Sequence, residues 1–592
     1  MDKKNLIVGL VCMSAAFGLM VWESKQQPSV DKKVTQESTT SVSSEGNAIT
    51  NNKLTDQLSK EEALSVSVTE DKPEPLKVSA ARAKEEFFVL ENDYITVTFT
   101  SNGGAIKSVS MKKYPAVLGK KDPYVFNGNA PLPALALGFP DGKGNPLEYA
   151  PTYKLVTLTN NTIRFAYETP EGIRIIRGYA LSTSKKEDPY VIEHEICFIN
   201  QGKKDLNLKK IFLNVGAFAR TEGDTLAEYL NFGYYDGKEA NFVKTNDFHA
   251  GNGFFGMGKH DAISLLHKDV PNLLWVSAKN QCFAAVLTLK DEVGSGIFSK
   301  TIQFPYAPEL SEGIMGGLEL SLGNIAAQDK KLLNMQYYVG PKEYTRLEKL
   351  GQRQDLVMQF GFFGFISKFL LIMMIGVQSL IQNWGVTIII VTVVIKLFLW
   401  PLTAAQVKSS KRMALIQKPL QELKEKYKGN PQKIQAETLK LFKEHKVNPA
   451  AGCLPLLVQI PIFLGLYFML RTSSELRFAP FLWIKDLSVA DTVGSIAGFP
   501  INVLPLLMGV TMFFQMKLTP TPTTDNVQQK ILQFMPFIFL IFCYKFPAGL
   551  VLYWTVQNLL TILQQFITNK QKEAVVTVTE PASLKKNFKK KA

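Results

Sequence analysis

Two kinds of hydrophobic pattern divide the chain. Between Phe87 and about Thr345 apolar and polar residues alternate in short runs. Tyr94–Thr100 keeps a period of two and ends at Asn102-Gly103-Gly104, a turn sequence. Thr162–Tyr167, Ile173–Tyr179, Val191–Phe198 and Cys282–Leu289 repeat the pattern. Many short strands separated by turn residues predict an all-β sandwich over residues 87–345. After Pro341 the period lengthens to that of a helix, through Tyr344–Leu350. Long apolar stretches then follow up to Thr568, several of them of membrane length.

The first two stretches, Phe360–Gln382 and Gly385–Ala404, lie almost back to back. If both spanned, the basic segment Lys408–Lys446 would share a side with the β domain, against the positive-inside rule. One of them is therefore expected to lie in the interface plane. Phe360–Gln382 is the choice, because Lys368, Gln378, Ser379 and Gln382 give it a partly polar face. Gly385–Ala404, Ala450–Leu470, Pro500–Met516, Ile531–Phe546 and Leu550–Thr568 then make five spans. Ile531–Phe546 is short for a bilayer, about 24 Å at helical rise. Residues 1–22 read as an uncleaved signal anchor, with lysines followed by an apolar run, which places both termini on the cytoplasmic side. Residues 23–86, rich in Ser, Thr, Gln, Glu and Lys, read as a disordered linker. The expected division is completed by a connecting and interfacial segment at 346–384, the five-span region at 385–568 and a basic cytoplasmic tail at 569–592.

Charge sharpens this picture. The chain carries a formal +15, and most of it is local. Lys408–Lys446 holds eleven Lys or Arg against four Glu, and the tail after Thr568 holds seven Lys against two Glu. Gly429-Asn430-Pro431 inside the first of these predicts a turn, so residues 408–446 read as a basic helical hairpin. Such charge beside spans sets topology first and recruits anionic partners second.

Candidate chemistry is sparse. No phosphate loop, zinc motif, nucleophile elbow or paired-carboxylate pattern is found, so neither a cofactor nor enzymatic activity is expected. His194 and His260 stand alone in the β region. Cys197 and Cys282 leave a disulfide open without requiring one. None of the five spans contains Asp or Glu, which weighs against an ion-coupled transporter. A membrane enzyme with a sugar-modifying β domain is the other alternative. The exceptional residue is Lys396, inside the apolar run of the first span. A lysine at mid-membrane costs about 2.5–3.5 kcal/mol on insertion scales. It is tolerated when it snorkels to an interface or serves a wet cavity. Thr392 lies one turn before it, on the same face. Gln459 and Gln515, and Tyr553, Gln557 and Asn558 on the last span, complete a diffuse polar inventory. Together they suggest a hydrated groove for polar or acidic chain segments.

Several motifs resemble a known family. Asn383-Trp384-Gly385, Pro401-Leu402-Thr403, the run Lys446–Pro455, Gln459-Ile460-Pro461-Ile462-Phe463, Gly509–Phe514 and Phe546–Trp554 are similar to the YidC membrane protein insertases. The anchor, linker, β domain and Tyr338–Lys342 junction resemble its Gram-negative members, which have a large periplasmic domain. The resemblance implies an insertase and chaperone of the bacterial inner membrane that acts on nascent membrane proteins in the lipid bilayer. It also implies work alone or with the Sec translocon, and ribosome contacts through the hairpin and basic tail. Lys396, Thr392, Gln459, Gln515, Tyr553, Trp554, Gln557 and Asn558 would then line the substrate groove. The family usually carries arginine where this chain has Lys396, and lysine lacks the bidentate fork.

Overall fold

The structure is a computed structural model. It describes residues 84–570 except 142–143, 149–150, 183–186, 209, 222–223, 225–226, 252–259, 307, 446–453 and 519–525. The expected anchor, nearly all of the linker, the Lys446–Cys453 part of one family motif and the tail after Lys570 lie outside the described residues.

The alternating segments form the β sandwich. Its larger sheet has nine antiparallel strands, with Lys330–Pro341 between Phe283–Leu289 and Val191–Asn200 near the centre. Ile173–Leu181, Thr162–Glu168 and Lys154–Leu158 continue to one edge. Trp275–Lys279, Asn231–Tyr235 and Ala240–Lys244 continue to the other. A six-stranded sheet centred on Glu312–Leu320 and Ile211–Ala219 packs against it. The Tyr337 hydroxyl donates across the two sheets to the Val215 carbonyl at 2.6 Å. The sheets approach closely at Gly316, where a Cβ would lie 2.6 Å from the Phe232 ring. A four-stranded sheet over residues 87–126 packs Phe99 against Tyr179, with ring centroids 4.9 Å apart and tilted by 53°. Four of the expected runs, from Ile95 to Val191, start or end within a few residues of an observed strand, and Cys282 falls in the turn before Phe283–Leu289.

Three side chains that stand out in the β-domain sequence are placed by the fold. His194 is buried, with Nδ1 donating to the Gly178 carbonyl at 2.8 Å and Nε2 facing Arg177 at 3.1 Å. Burial and the Arg177 charge hold its pKa well below the ordinary histidine value. Cys197 and Cys282 are free thiols, so no disulfide joins them.

The helical part begins with α1 (Tyr344–Lys349) and α2 (Gly364–Ile381). Helix α3 (Trp384–Phe398) starts at Asn383, whose side chain caps the Val386 N–H at 3.0 Å. It stops earlier than the expected Ala404. Pro401 has no N–H to continue the ladder, and the chain turns at Leu399 before α4 (Trp400–Leu415) resumes. The expected hairpin from residue 408 is correspondingly shorter. Its arms are α5 (Gln417–Lys426) and α6 (Pro431–Glu444), the latter capped by Asn430 with Pro431 in its first turn.

The remaining helices are α7 (Leu454–Thr472), α8 (Val503–Leu518), α9 (Asn526–Cys543) and α10 (Ala548–Lys570). Helix α9 begins five residues before the expected Ile531 and ends three before the expected Phe546, with largely polar residues in its added first turn. Among the described helices, α2 and α10 are long and apolar enough to cross a membrane by length and composition, with shorter apolar helices at α3 and α8.

The end of α7 and the loop after it fasten this helical part to the β domain and to the segment that leaves it. Thr472 Oγ1 donates to the Met358 carbonyl at 2.9 Å, and Ser474 Oγ to that of Lys342 at 3.2 Å. Arg477 donates to the carbonyls of Pro115 and Ala116 at 2.6 and 2.8 Å. Arg471, 6 % exposed, pairs with Glu228 and with the Tyr467 hydroxyl.

Candidate intramembrane polar groove

Helix α3 carries Thr387, Thr392 and Lys396 toward the interior of the bundle, and all three are buried. Thr392 and Lys396, one turn apart, share a face, with Val394 and Leu397 exposed away from it. Thr387, nine residues before Lys396, faces the other way and donates to Gln378 Oε1 on α2 at 2.9 Å. Lys396 is only 3 % exposed. Its Nζ donates to Thr561 Oγ1 on α10 at 2.9 Å. Thr561 in turn donates to the Gln557 carbonyl at 2.7 Å. Gln557 Nε2 reaches Gln459 Oε1 on α7 at 3.4 Å, and Gln459 Nε2 donates to the Tyr553 hydroxyl. One polar chain thus runs from the cation through α10 to α7 and back to α10.

Four of the eight expected residues, Lys396, Gln459, Tyr553 and Gln557, belong to this chain. Thr392 shares the buried face, but its hydroxyl donates to the Ile388 carbonyl of its own helix at 2.6 Å. Asn558 turns to the neighbouring helix and donates to Thr511 Oγ1 on α8 at 3.2 Å. Gln515 lies one turn beyond Thr511 on α8 and is half-buried. Trp554 joins an aromatic cluster instead, edge-on to Phe463 at 4.7 Å and against Phe539 at 4.3 Å.

Sequence reasoning missed Thr561, Gln564 and Thr403. Thr403 and Gln564 exchange hydrogen bonds at 2.8 and 3.1 Å, extending the polar seam from α3 to α4. The signal was present in α10, where Tyr553, Gln557, Thr561, Gln564 and Thr568 recur at helical spacing on one face. Each hydroxyl and amide in the seam relieves the cost of a polar group in an apolar bundle. Lys396 faces hydroxyl and amide groups, and the apolar stretches expected to span hold no carboxylate. The seam can solvate a polar peptide segment and attract an acidic one. It contains no nucleophile–base pair.

Comparison with known proteins agrees with this architecture. Residues 88–373 match the family model described as YidC periplasmic domain, and residues 376–575 match that described as 60Kd inner membrane protein. The membrane protein insertase YidC of Pasteurella multocida is 32 % identical over 499 residues, covering 82 % of this chain and 86 % of that protein. The Haemophilus influenzae insertase is 29 % identical over 524 residues, covering 85 % and 91 %. A solved structure titled as an active YidC insertase with its first transmembrane domain resolved covers 83 % of this chain and 94 % of its own, at 20 % identity and a TM-score of 0.34.

The fold and its relatives define a polytopic inner-membrane protein insertase with a periplasmic β sandwich, rather than an enzyme. Its substrates are newly made membrane proteins, which follows from that class. The chain belongs to the YidC family.

Proposed function

We propose that the Lys396 seam is the substrate groove of this insertase, and that its charge attracts acidic residues in the translocating segment of the nascent chain. Lys396, Thr392, Gln459, Gln515, Tyr553, Gln557 and Asn558 supply polar groups to the groove, and Trp554 an aromatic wall. The observation that carries this reading is the series of polar contacts from Lys396 through Thr561, Gln557 and Gln459 to Tyr553, in apolar stretches whose sequence holds no carboxylate. Lysine offers a compact charge with three donors, so attraction survives without bidentate recognition of a carboxylate. The test compares Lys396→Ala with Lys396→Arg in a strain depleted of its own insertase. Arginine is expected to insert acidic-tailed substrates and alanine to fail. Equal insertion by alanine and the parent removes the charge from the mechanism. Photocrosslinking from positions 392 and 396 to a stalled nascent chain reports contact separately.

The same proposal extends to partners and topology. Helix α2 lies in the periplasmic interface plane. Supporting this, Lys368 pairs with Asp355 of the preceding segment at 2.5 Å, and Ser367 donates to the Gly465 carbonyl in the outer half of α7. The α5–α6 hairpin and both termini then face the cytoplasm. The hairpin and the basic tail contact the ribosome, and the protein works alone or beside the Sec translocon. Deleting residues 573–592 is expected to weaken ribosome co-sedimentation in a salt-dependent manner, most at low salt. Unchanged co-sedimentation assigns the tail charge to anionic lipid instead.

A further inference from the structure

The loop between α7 and α8 carries an apolar surface that none of the described residues covers. Residues 492–502 contain no charge. They form a β-hairpin, Thr492–Ile496 against Phe499–Asn502. The two-residue turn Ala497-Gly498 has φ of +50° and +80°, the backbone that a tight hairpin requires. Val493, Ile496 and Phe499 are 54, 69 and 62 % exposed, and Leu482 and Trp483 nearby are 76 and 42 % exposed. A lone two-stranded hairpin is marginal in water, and an exposed apolar edge invites pairing with other chains. Something of low polarity has to receive this one.

The base of the hairpin is held firmly and at a defined height. Asn502 Nδ2 donates to the Tyr544 carbonyl at 2.6 Å, the Tyr544 hydroxyl donates to the Pro500 carbonyl at 2.6 Å, and Phe499 lies against the Tyr544 ring. Asp491 accepts from the Leu504 N–H at the start of α8 at 2.6 Å and from Trp483 Nε1 at 3.2 Å. The Ala548 and Gly549 N–H groups at the start of α10 donate to Val489 and Leu487. Phe481 packs on Gly385 at the start of α3. The loop is therefore tied to the same ends of α3, α8 and α10, and to the C-terminal end of α9. Those ends lie on the side of the β domain, which Arg477 and Ser474 of the same loop touch. Leu506 and Val510 of α8 and Ile541 of α9 are exposed apolar side chains on the helices to which the loop is tied. Lys485 and Lys545 are exposed beside it. Tryptophan and lysine next to apolar side chains at the end of a span are the composition of a membrane–water boundary.

We propose that the 480–502 loop is a bilayer anchor. Val493, Ile496, Phe499 and Leu482 enter the periplasmic leaflet, Trp483 lies at the headgroups, and Lys485 and Lys545 meet lipid phosphates. Because Arg477 and Ser474 connect the same loop to the β domain, the anchor sets that domain's height over the membrane. The inference rests on the membrane class of the protein and is independent of what the Lys396 groove does.

The test places a benzophenone amino acid at position 496 or 499 of the full-length chain. The purified protein is reconstituted alone in vesicles of phosphatidylethanolamine and phosphatidylglycerol and irradiated. Val156, 54 % exposed on an edge strand of the large sheet, serves as the control site. Adducts of phospholipid mass are expected from 496 and 499 and not from 156. Absence of lipid adducts at 496 and 499, crosslinks there to a second copy of the chain, or equal adducts at 156 would each overturn the proposal.

Discussion

Thr561 is the residue on which the state of the buried cation depends most directly. Replacing it with valine keeps the shape and removes the hydroxyl that accepts from Lys396 Nζ at 2.9 Å. Interhelical hydrogen bonds between neutral groups in membrane bundles contribute about 0.6 kcal/mol on average and at most about 1.7. An ionised donor roughly doubles such a bond. At 3 % exposure little water is at hand to replace the lost acceptor. The Lys396–Thr561 bond is therefore expected to contribute about 1–2 kcal/mol. The other bond of Thr561, to the Gln557 carbonyl, goes to a group that the helix ladder already serves, so its loss costs little.

A double-mutant cycle isolates the term. Thr561→Val should destabilise the parent by about 1–2 kcal/mol and the Lys396→Met variant by much less, where no ammonium seeks an acceptor. Unfolding midpoints of the full-length protein in mixed micelles, converted to free energies, supply all four corners. A coupling below about 0.3–0.5 kcal/mol, the scatter of independent sites, refutes the argument. Lys396 would then be solvated by something other than α10. Thr561→Ser, which keeps the acceptor, should behave as the parent.

Three further outcomes follow from the packing. Gly385→Ala puts a Cβ about 2.1 Å from the Phe481 ring, so it should cost about 1–3 kcal/mol in the same unfolding assay, with part of the loss recovered by Phe481→Leu. Arg471→Met removes the tie to Glu228 and Tyr467; with Glu228 still 32 % exposed the loss should be about 1–3 kcal/mol, and limited proteolysis at the junction between α7 and the β domain should quicken. Burial, followed by the nearby Glu343 charge, pushes the Glu475 carboxyl from 4.5 up to about 8, and its Oε2 has no hydrogen-bond partner among the described residues. A carboxyl that binds its proton more tightly folded than unfolded lowers stability as pH rises from about 4.5 through 8. Glu475→Gln should therefore flatten the loss of melting temperature across that window, and an unchanged slope would assign the pH dependence to another group.

The parts of this protein visible in its sequence are those that a local period determines. Strands such as Val191–Asn200 were legible because one face is buried at every second residue. Apolar stretches that fall on helices α3, α7, α8, α9 and α10 were legible by hydropathy, but hydropathy does not mark the ends of the hydrogen-bond ladder. Helix α9 therefore begins at polar Asn526, and Pro401 cuts the first span where composition alone ran on to Ala404. The polar seam around Lys396 was half legible. Lys396 stands out by its cost, yet its partner is 165 residues away, and only the polar stripe of α10 hints at Thr561. The loop after α7 was the least legible, because its balanced charges resemble an ordinary solvated connection. In the folded protein those charges are divided by function. Arg471 and Arg477 are spent on the β domain, Asp491 on the start of α8, and Lys485 is left free at the membrane boundary. Net charge averages over such a division, so a loop that joins two domains and meets a third phase reads as neutral until its partners are in place.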